Sequence, residues 1–353
     1  MEANSKSFRF IFFFFFLSSS VTTVVGRGRG RDRDRDRERC NPNDKKALLQ
    51  IKKDLNNPYD LISWDPQTDC CDWLVVGCDE ATNRIDKLVL SQADLNLPLP
   101  AAVGDLPYLR NLAFHHTNLT GRIPEAITKL SKLSFLDLRR NHLTGPVPPF
   151  LGQLKELTYI GLSFNSFTGS IPASLGRLPK LGGLLIDRNR LTGSIPASFG
   201  GFQVEDFALY LSHNELSGPI PSALGKASFY IMDVSRNMLE GDISFFFQEG
   251  KILNTADFSR NRFSFDMSKI RAFPEKLVNL ALDHNRLGGG LPESLTKLDL
   301  ISFNVSYNRL CGKIPVGGTG RLQELDYTAY IHNKCLCGAP LPPCKFPIDV
   351  LLY

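Results

Sequence analysis

The chain has 353 residues, 42% of them hydrophobic, and a formal net charge of +5. That composition suits a core-forming globular protein, and no stretch approaches the ~20 consecutive apolar residues of a membrane-spanning helix. The charge is unevenly placed: residues 1–26 contribute 2 − 1 = +1, residues 27–39 contribute 7 − 4 = +3, and the remaining body is left with +1. A body so close to neutral lacks the basic footprint of a nucleic-acid binder.

In chain order, residues 10–17 (FIFFFFFL) follow Lys6 and Arg9 and precede small residues up to Gly26, which is the layout of a secretory signal peptide over 1–26. Residues 27–39 alternate Arg with Gly, Asp or Glu, have no apolar face to bury, and read as a low-complexity leader. A cysteine-bearing cap follows over 40–84. Within it Ala47, Leu48, Ile51 and Leu55 recur at helical spacing, and Asn43 or Asp44 is the expected cap of that helix. The helix, with Trp64 and Trp73, is expected to cover the open apolar end of what comes next.

Residues 85–315 are an array. Residues 136–148 read LDLRRNHLTGPVP, and the position of Asn141 recurs as Ala93, Thr117, Asn141, Asn165, Asn189, Asn214, Asn237, Asn261, Asn285 and Asn308, with spacings of 23 to 25 residues. That period and the L-x-L-x-x-N-x-L pattern define leucine-rich repeats. The expected fold is an α/β solenoid, a right-handed leucine-rich repeat superhelix of ten plant-type repeats with a parallel concave β-sheet and disulfide-stapled caps at both ends. Because strand side chains alternate, Leu136 and Leu138 point into the core while Phe135, Asp137 and Arg139 point outward. The Asn after the strand turns inward again and should bond backbone groups of the neighbouring coil. Thr117 can do part of this and Ala93 none. The Leu-Thr-Gly-x-Ile-Pro ending, clearest at 119–124, 191–196 and 216–221, is lost after Asn261, so repeat eight should be irregular.

The C-terminal cap spans 311–344, overlapping the last repeat, and 345–353 form a tail. All eight cysteines flank the array: Cys40, Cys70, Cys71 and Cys78 before it, Cys311, Cys335, Cys337 and Cys344 at its end. With no matched CxxC pair they read as disulfides of an exported protein rather than zinc ligands. If each group pairs within itself, 3 × 3 = 9 connectivities remain. The sequential one, Cys40–Cys70, Cys71–Cys78, Cys311–Cys335 and Cys337–Cys344, closes the shortest loops and is the expected pairing. Asn118 and Asn304 begin N-x-[ST] glycosylation acceptors.

The Gly-x-Ile-Pro endings, ten repeats, four cysteines at each end, the doublet Cys70-Cys71, and the segments LYLSHN (209–214), NVSYNRLCG (304–312) and CLCGAPLP (335–342) together resemble the plant polygalacturonase-inhibiting proteins over about residues 40–344. The resemblance implies a monomer, secreted to the cell wall, that binds fungal or insect endo-polygalacturonases through its concave face and performs no catalysis. It also allows pectin as a ligand. Outward strand positions that would meet the enzyme include Asp137, Arg139, Asp187, Tyr210, Ser212, Asp233, Asp257 and Asp283, with His115, Ser163, Ser235, Ser259 and Asn304 in the same columns. Either these carboxylates meet cations of the enzyme, or they pair with Arg140, Arg188, Arg236 and Arg260. As surface residues, Asp137, Asp187, Asp233 and Asp257 should tolerate substitution with little effect on stability. The competing function is that of a secreted recognition module in plant developmental or receptor signalling, binding a peptide or a receptor ectodomain through the same face. No cofactor, metal or catalytic residue is expected: His115-His116 is the nearest approach to a catalytic pair, and no HExxH, GxSxG or phosphate-binding loop accompanies it.

Overall fold

The computed structural model describes residues 39–318 and 321–344. The signal, nearly all of the leader, and the tail fall outside them. An eleven-stranded sheet runs the length of the array. Its first strand, Val76–Cys78, pairs antiparallel with Ile85–Ser91, and the rest are parallel, one strand per repeat. Register is kept from coil to coil: Leu112 faces Leu136, which faces Ile160, which faces Leu184. A side chain of one repeat therefore stacks on its equivalent in the next. These inward residues are fully buried, each adding roughly 1.5–3 kcal/mol of burial.

A second, seven-stranded parallel sheet follows each bend, from Thr120–Gly121 to Arg262–Phe263. Gly145, at φ +79, takes a left-handed conformation where this strand leaves toward its proline. The backs of the coils are 3₁₀ turns, usually of five residues, and those of five residues are each preceded by a proline, as in Glu125–Lys129, Ala173–Arg177 and Ser222–Lys226. The expected α/β alternation is thus met by 3₁₀ turns, since a repeat of about 24 residues leaves no room for an α-helix. Where the Gly-x-Ile-Pro ending decays, the turns shorten to Ser244–Phe246 and Met267–Lys269. There Phe229, Phe246, Phe247, Phe258 and Phe263 interlock edge to face, and Phe273 packs at a tilt on Phe247, filling the core.

The inward asparagines connect the coils. Asn141 Oδ1 accepts from Thr117 N (3.2 Å), Thr117 Oγ1 (3.0 Å) and Leu119 N (2.9 Å), and its Nδ2 donates to Phe114 O (2.6 Å) and Leu138 O (3.0 Å). The pattern recurs at Asn165, Asn189, Asn214, Asn237, Asn261, Asn285 and Asn308. It continues into the C-terminal cap, where Asn333 accepts from Leu310 N and donates to Val305 O. At the first coil the arrangement breaks as the sequence requires: with Thr117 in the next coil's Asn position, Leu95 N donates to the Thr117 carbonyl oxygen instead.

The lid on that coil is the only α-helix among the described residues, Pro42–Asp54. Its cap is Asn41, which accepts from Asn43 N at 3.0 Å, not Asn43 or Asp44. Asp44 is instead fully buried and binds Arg84 through both carboxylate oxygens (2.7 and 2.8 Å) and the Ile85 amide (3.0 Å), fastening helix to first repeat. Trp64 and Trp73 stack at 5.6 Å beneath it. The four disulfides follow the sequential pairing. On chain-entropy grounds the two seven-residue loops contribute about 2 kcal/mol each and the longer loops about 3.5 kcal/mol each.

Asn141→Ala would strand the Thr117 and Leu119 amides and the Phe114 carbonyl between coils, while Leu138 O keeps its bond from Asn165 Nδ2. Each unsatisfied group costs ~1–3 kcal/mol, so the variant should lose several kcal/mol of stability in urea titration. A midpoint unchanged from wild type would contradict the ladder's role.

Candidate functional site

Three outward columns and one bend column run side by side along the large sheet. In the repeat of Asn141 they are Phe135, Asp137, Arg139 and Arg140. The expected site residues do line up on this face, but their burial is uneven. Asp137 is 3% exposed and Asp283 8%, and Ser163, Ser212, Ser235 and Ser259 are buried as well. Tyr210, Asp187, Asp233, Asp257 and Arg139 are half-buried.

Asp137 is therefore not the freely solvated surface carboxylate expected from alternation. Arg139 grips it with Nε at 2.9 Å and Nη2 at 2.7 Å, and its backbone N at 3.1 Å. Short outward strands packed about 4.8 Å apart let neighbouring side chains shield one another. Burial alone would lower the Arg139 pKa, but the bond and charge of Asp137 outweigh it and raise it. Removing either partner leaves an uncompensated buried charge, so substitution at Asp137 is structurally costly, contrary to the expectation of tolerance.

The other carboxylates sit in turns that recur. Asp233 accepts from Ser235 N (3.0 Å) and Oγ (2.7 Å), Asp257 from Ser259 N (2.9 Å), and Asn304 from Ser306 N (3.0 Å) and Oγ (2.8 Å). Asp187 accepts from Ser163 Oγ of the preceding coil, and Asp283 from His284 Nδ1 at 2.8 Å. Burial raises the pKa of Asp187, Asp233 and Asp257, and for Asp257 the adjoining Asp233 and Asp283 charges add to it. Asp233 and Asp257 are direct register partners, a like-charge juxtaposition that disfavours both ionised forms.

The alternative pairing with the bend arginines does not occur. Among the described residues none of Arg140, Arg188, Arg236 or Arg260 reaches a carboxylate within 4 Å; the guanidinium groups of Arg140 and Arg188 lie over the Phe164 ring, 4.6 and 5.0 Å from its centroid. The bend column was not read as a site from sequence, though its signal was there: the residue before each Asn is Arg, His, Phe or Tyr. All adopt φ between +51 and +58, which turns their side chains to one flank. His284 stacks on Tyr307 and Tyr307 on His332, each at 4.2 Å. His213 lies between Arg188 and Arg236, and its pKa is lowered by burial and by those two charges. Of the candidate catalytic pair, His115 belongs to a strand while His116 occupies the bend, so the two rings serve different columns. Of the sequon asparagines, Asn118 donates to Asp94 at 2.7 Å. Cys40, Asp69 and Cys71 gather near one another in the N-terminal cap, but both cysteines are held in disulfides.

A carboxyl with a raised folded-state pKa favours folding below its unfolded-state pKa and loses that contribution as pH rises through the folded value. Asp257→Asn keeps the oxygen that accepts from Ser259 and discards the charge, as Asn304 does naturally. It should raise the thermal midpoint at pH 7 and converge with wild type as pH falls through the carboxylate range; a lower midpoint at pH 7 would show that the charge is stabilising.

Comparison with known proteins places this face in context. Models of the leucine rich repeat N-terminal domain and the leucine rich repeat match residues 41–79 and residues 132–154, 156–178, 208–227 and 276–298. The chain is 56% identical to a polygalacturonase inhibitor of Vitis vinifera over 87% of its own length and 91% of the relative's, and 53% identical to that of Pyrus communis over 87% and 92%. Among solved structures, a plant ice-binding protein superimposes with a TM-score of 0.84 at 51% identity, covering 87% of this chain and 98% of that one. The ectodomain of the receptor kinase GASSHO1/SCHENGEN3 from Arabidopsis thaliana gives 0.67 at 34% identity, over 73% of this chain and 31% of that one. No helix among the described residues is long and apolar enough to cross a membrane. An in-register sheet with an Asn ladder, two disulfide-stapled caps and 56% identity to the Vitis vinifera inhibitor over 307 aligned residues make the chain a member of the polygalacturonase inhibitor family of leucine-rich repeat proteins.

Proposed function

We propose that this chain is a secreted inhibitor of microbial or insect endo-polygalacturonases and that it holds the enzyme against its eleven-stranded sheet. The observation that carries the reading is the face itself: a ladder of fixed, half-buried polar and aromatic side chains, in a protein more than half identical to a named inhibitor. A hydrolase that grips polyuronate needs cationic side chains. Asp187, Asp233 and Asp257, shielded and bonded in place, are suited to meet such cations, setting on-rate and selectivity. Blocking access of pectin to the cleft requires no bond chemistry from the inhibitor, so no residue here is assigned a catalytic role. Four disulfides suit an oxidising extracellular space. A glycan on Asn304 would border the C-terminal end of the binding face, and one on Asn118 would lie on the flank.

Release of reducing ends from polygalacturonate by a panel of purified endo-polygalacturonases is expected to fall in a dose-dependent way for at least one enzyme when the folded, disulfide-intact protein is added. Absence of any effect, together with capture of a receptor ectodomain, would replace this reading with the signalling one.

The bend column favours a second ligand of the same protein, pectin. Arg236, Arg260, Arg262, Arg286, Arg309 and Lys334 are exposed, with no ion-pair partner among the described residues, and flank the stacked His284, Tyr307 and His332. Cations repeated along successive coils beside flat rings suit a linear polyanion of sugar rings. Retention on immobilised polygalacturonate should weaken with ionic strength and drop further in Arg236→Gln/Arg260→Gln; salt-independent retention would exclude this mode.

A further inference from the structure

The first outward column reads Asn111, Phe135, Tyr159, Gly183 and Ala208 in successive register. Phe135 and Tyr159 stack with centroids 4.6 Å apart and planes within 8°. Beyond Tyr159 the side chains stop: Gly183 is its register partner on the next strand, and Gly161 follows it two residues on in its own strand. A Cβ on Gly161 would lie 2.9 Å from Tyr159 Cε1, 3.0 Å from its hydroxyl oxygen and 3.1 Å from Arg139 Cδ; one on Gly183 would lie 3.1 Å from Tyr159 Cδ2. Neither glycine has a positive φ. The backbone would accept another residue at both places, and glycine inside a strand costs stability. What the two glycines supply is space, which lets the Tyr159 ring lie down over the sheet. Arg139 completes the group, its guanidinium 5.8 Å from the Tyr159 centroid and clamped by both oxygens of Asp137.

We infer that Phe135, Tyr159 and Arg139 form the anchoring contact of the inhibitory interface, and that Gly161 and Gly183 are specificity determinants because they set the pose of Tyr159. This rests on the inhibitor reading above. The occupant is an apolar side chain on a surface loop of the hydrolase. The Arg139 charge is already neutralised by Asp137, so the pad offers ring faces and a paired guanidinium rather than net charge, and it has no electrostatic claim on a polyuronate. Tyr and Arg dominate interface hot spots, and side chains locked before binding lose little entropy on contact. The carboxylates of Asp187, Asp233 and Asp257 lie further along the same sheet, so one face carries an apolar anchor followed by a charged stretch.

The test uses an endo-polygalacturonase that the wild-type protein inhibits, with variants Tyr159→Ala, Gly161→Ala and Gly183→Ala. Each is expected to raise Ki, by about tenfold for Tyr159→Ala as for a hot-spot residue. The glycine variants remove no side chain, and because the added methyl displaces the Tyr159 ring they should inhibit less well while keeping a cooperative thermal transition. Retention on polygalacturonate should stay unchanged in all three. Ki values within about twofold of wild type in all three variants, with the wild type active, would overturn the anchor alone. Loss of polygalacturonate retention with unchanged Ki would assign the pad to the polysaccharide and also overturn it. A wild-type protein that inhibits no enzyme of the panel would overturn both the anchor and the inhibitor reading.

Discussion

One side chain per coil holds this structure in register. Each inward Asn accepts from backbone of the preceding coil with its oxygen and donates with its nitrogen to carbonyls of two coils, so the peptide groups that it reaches at the bend are paired. Everything on the candidate binding face depends on that phase. If one coil slipped by a residue, its core leucines would be carried to the outer face, and the columns of Asp, Ser, Arg and aromatic side chains would no longer align. The ladder ends where it needs help. Asn333 extends it into the C-terminal cap, and at the other end, where Ala93 has no amide to offer, Asp44 and Arg84 tie the helix to the first coil.

Alignment has an electrostatic consequence. Stacking puts like residues one above another, and carboxylates in one column repel. The sheet tempers this in two ways: Asp137 is neutralised by its own arginine, and Asp187 and Asp233 accept from serine hydroxyls, whereas the Arg140 and Arg188 guanidinium groups are turned to the flank over Phe164. The result is a face divided by chemistry. Its N-terminal half presents aromatic rings and a paired guanidinium, its middle presents carboxylates with raised pKa, and its flank presents cations. On the reading proposed above, the enzyme and the polyanion would meet different columns.

Glycine illustrates how the same residue type carries different physics. Gly145 allows a left-handed turn that its backbone needs. Gly161 and Gly183 occupy ordinary extended backbone, and their value lies in the volume they leave to Tyr159. Sequence pattern identifies the first kind through its place in Leu-Thr-Gly-x-Ile-Pro. Only the packing of adjacent coils reveals the second.

The sequence by itself determined the solenoid, its period, the inward and outward alternation and the irregular eighth repeat, because each follows from a local period along the chain; it left nine disulfide pairings open, of which the structure has the sequential one. It pointed to the concave columns as well, since alternation decides the face. It could not decide how exposed a residue on that face would be. Asp137 and Asp283 face outward yet are nearly covered, because their cover comes from residues in their own turns and from side chains of neighbouring coils. The choice of Arg139 over Arg140 as the partner of Asp137, the helix cap at Asn41, the stacked bend column and the Tyr159 pad were likewise settled by tertiary structure. Each depends on a side-chain direction or on a contact between coils about 24 residues apart, and a one-dimensional period carries neither.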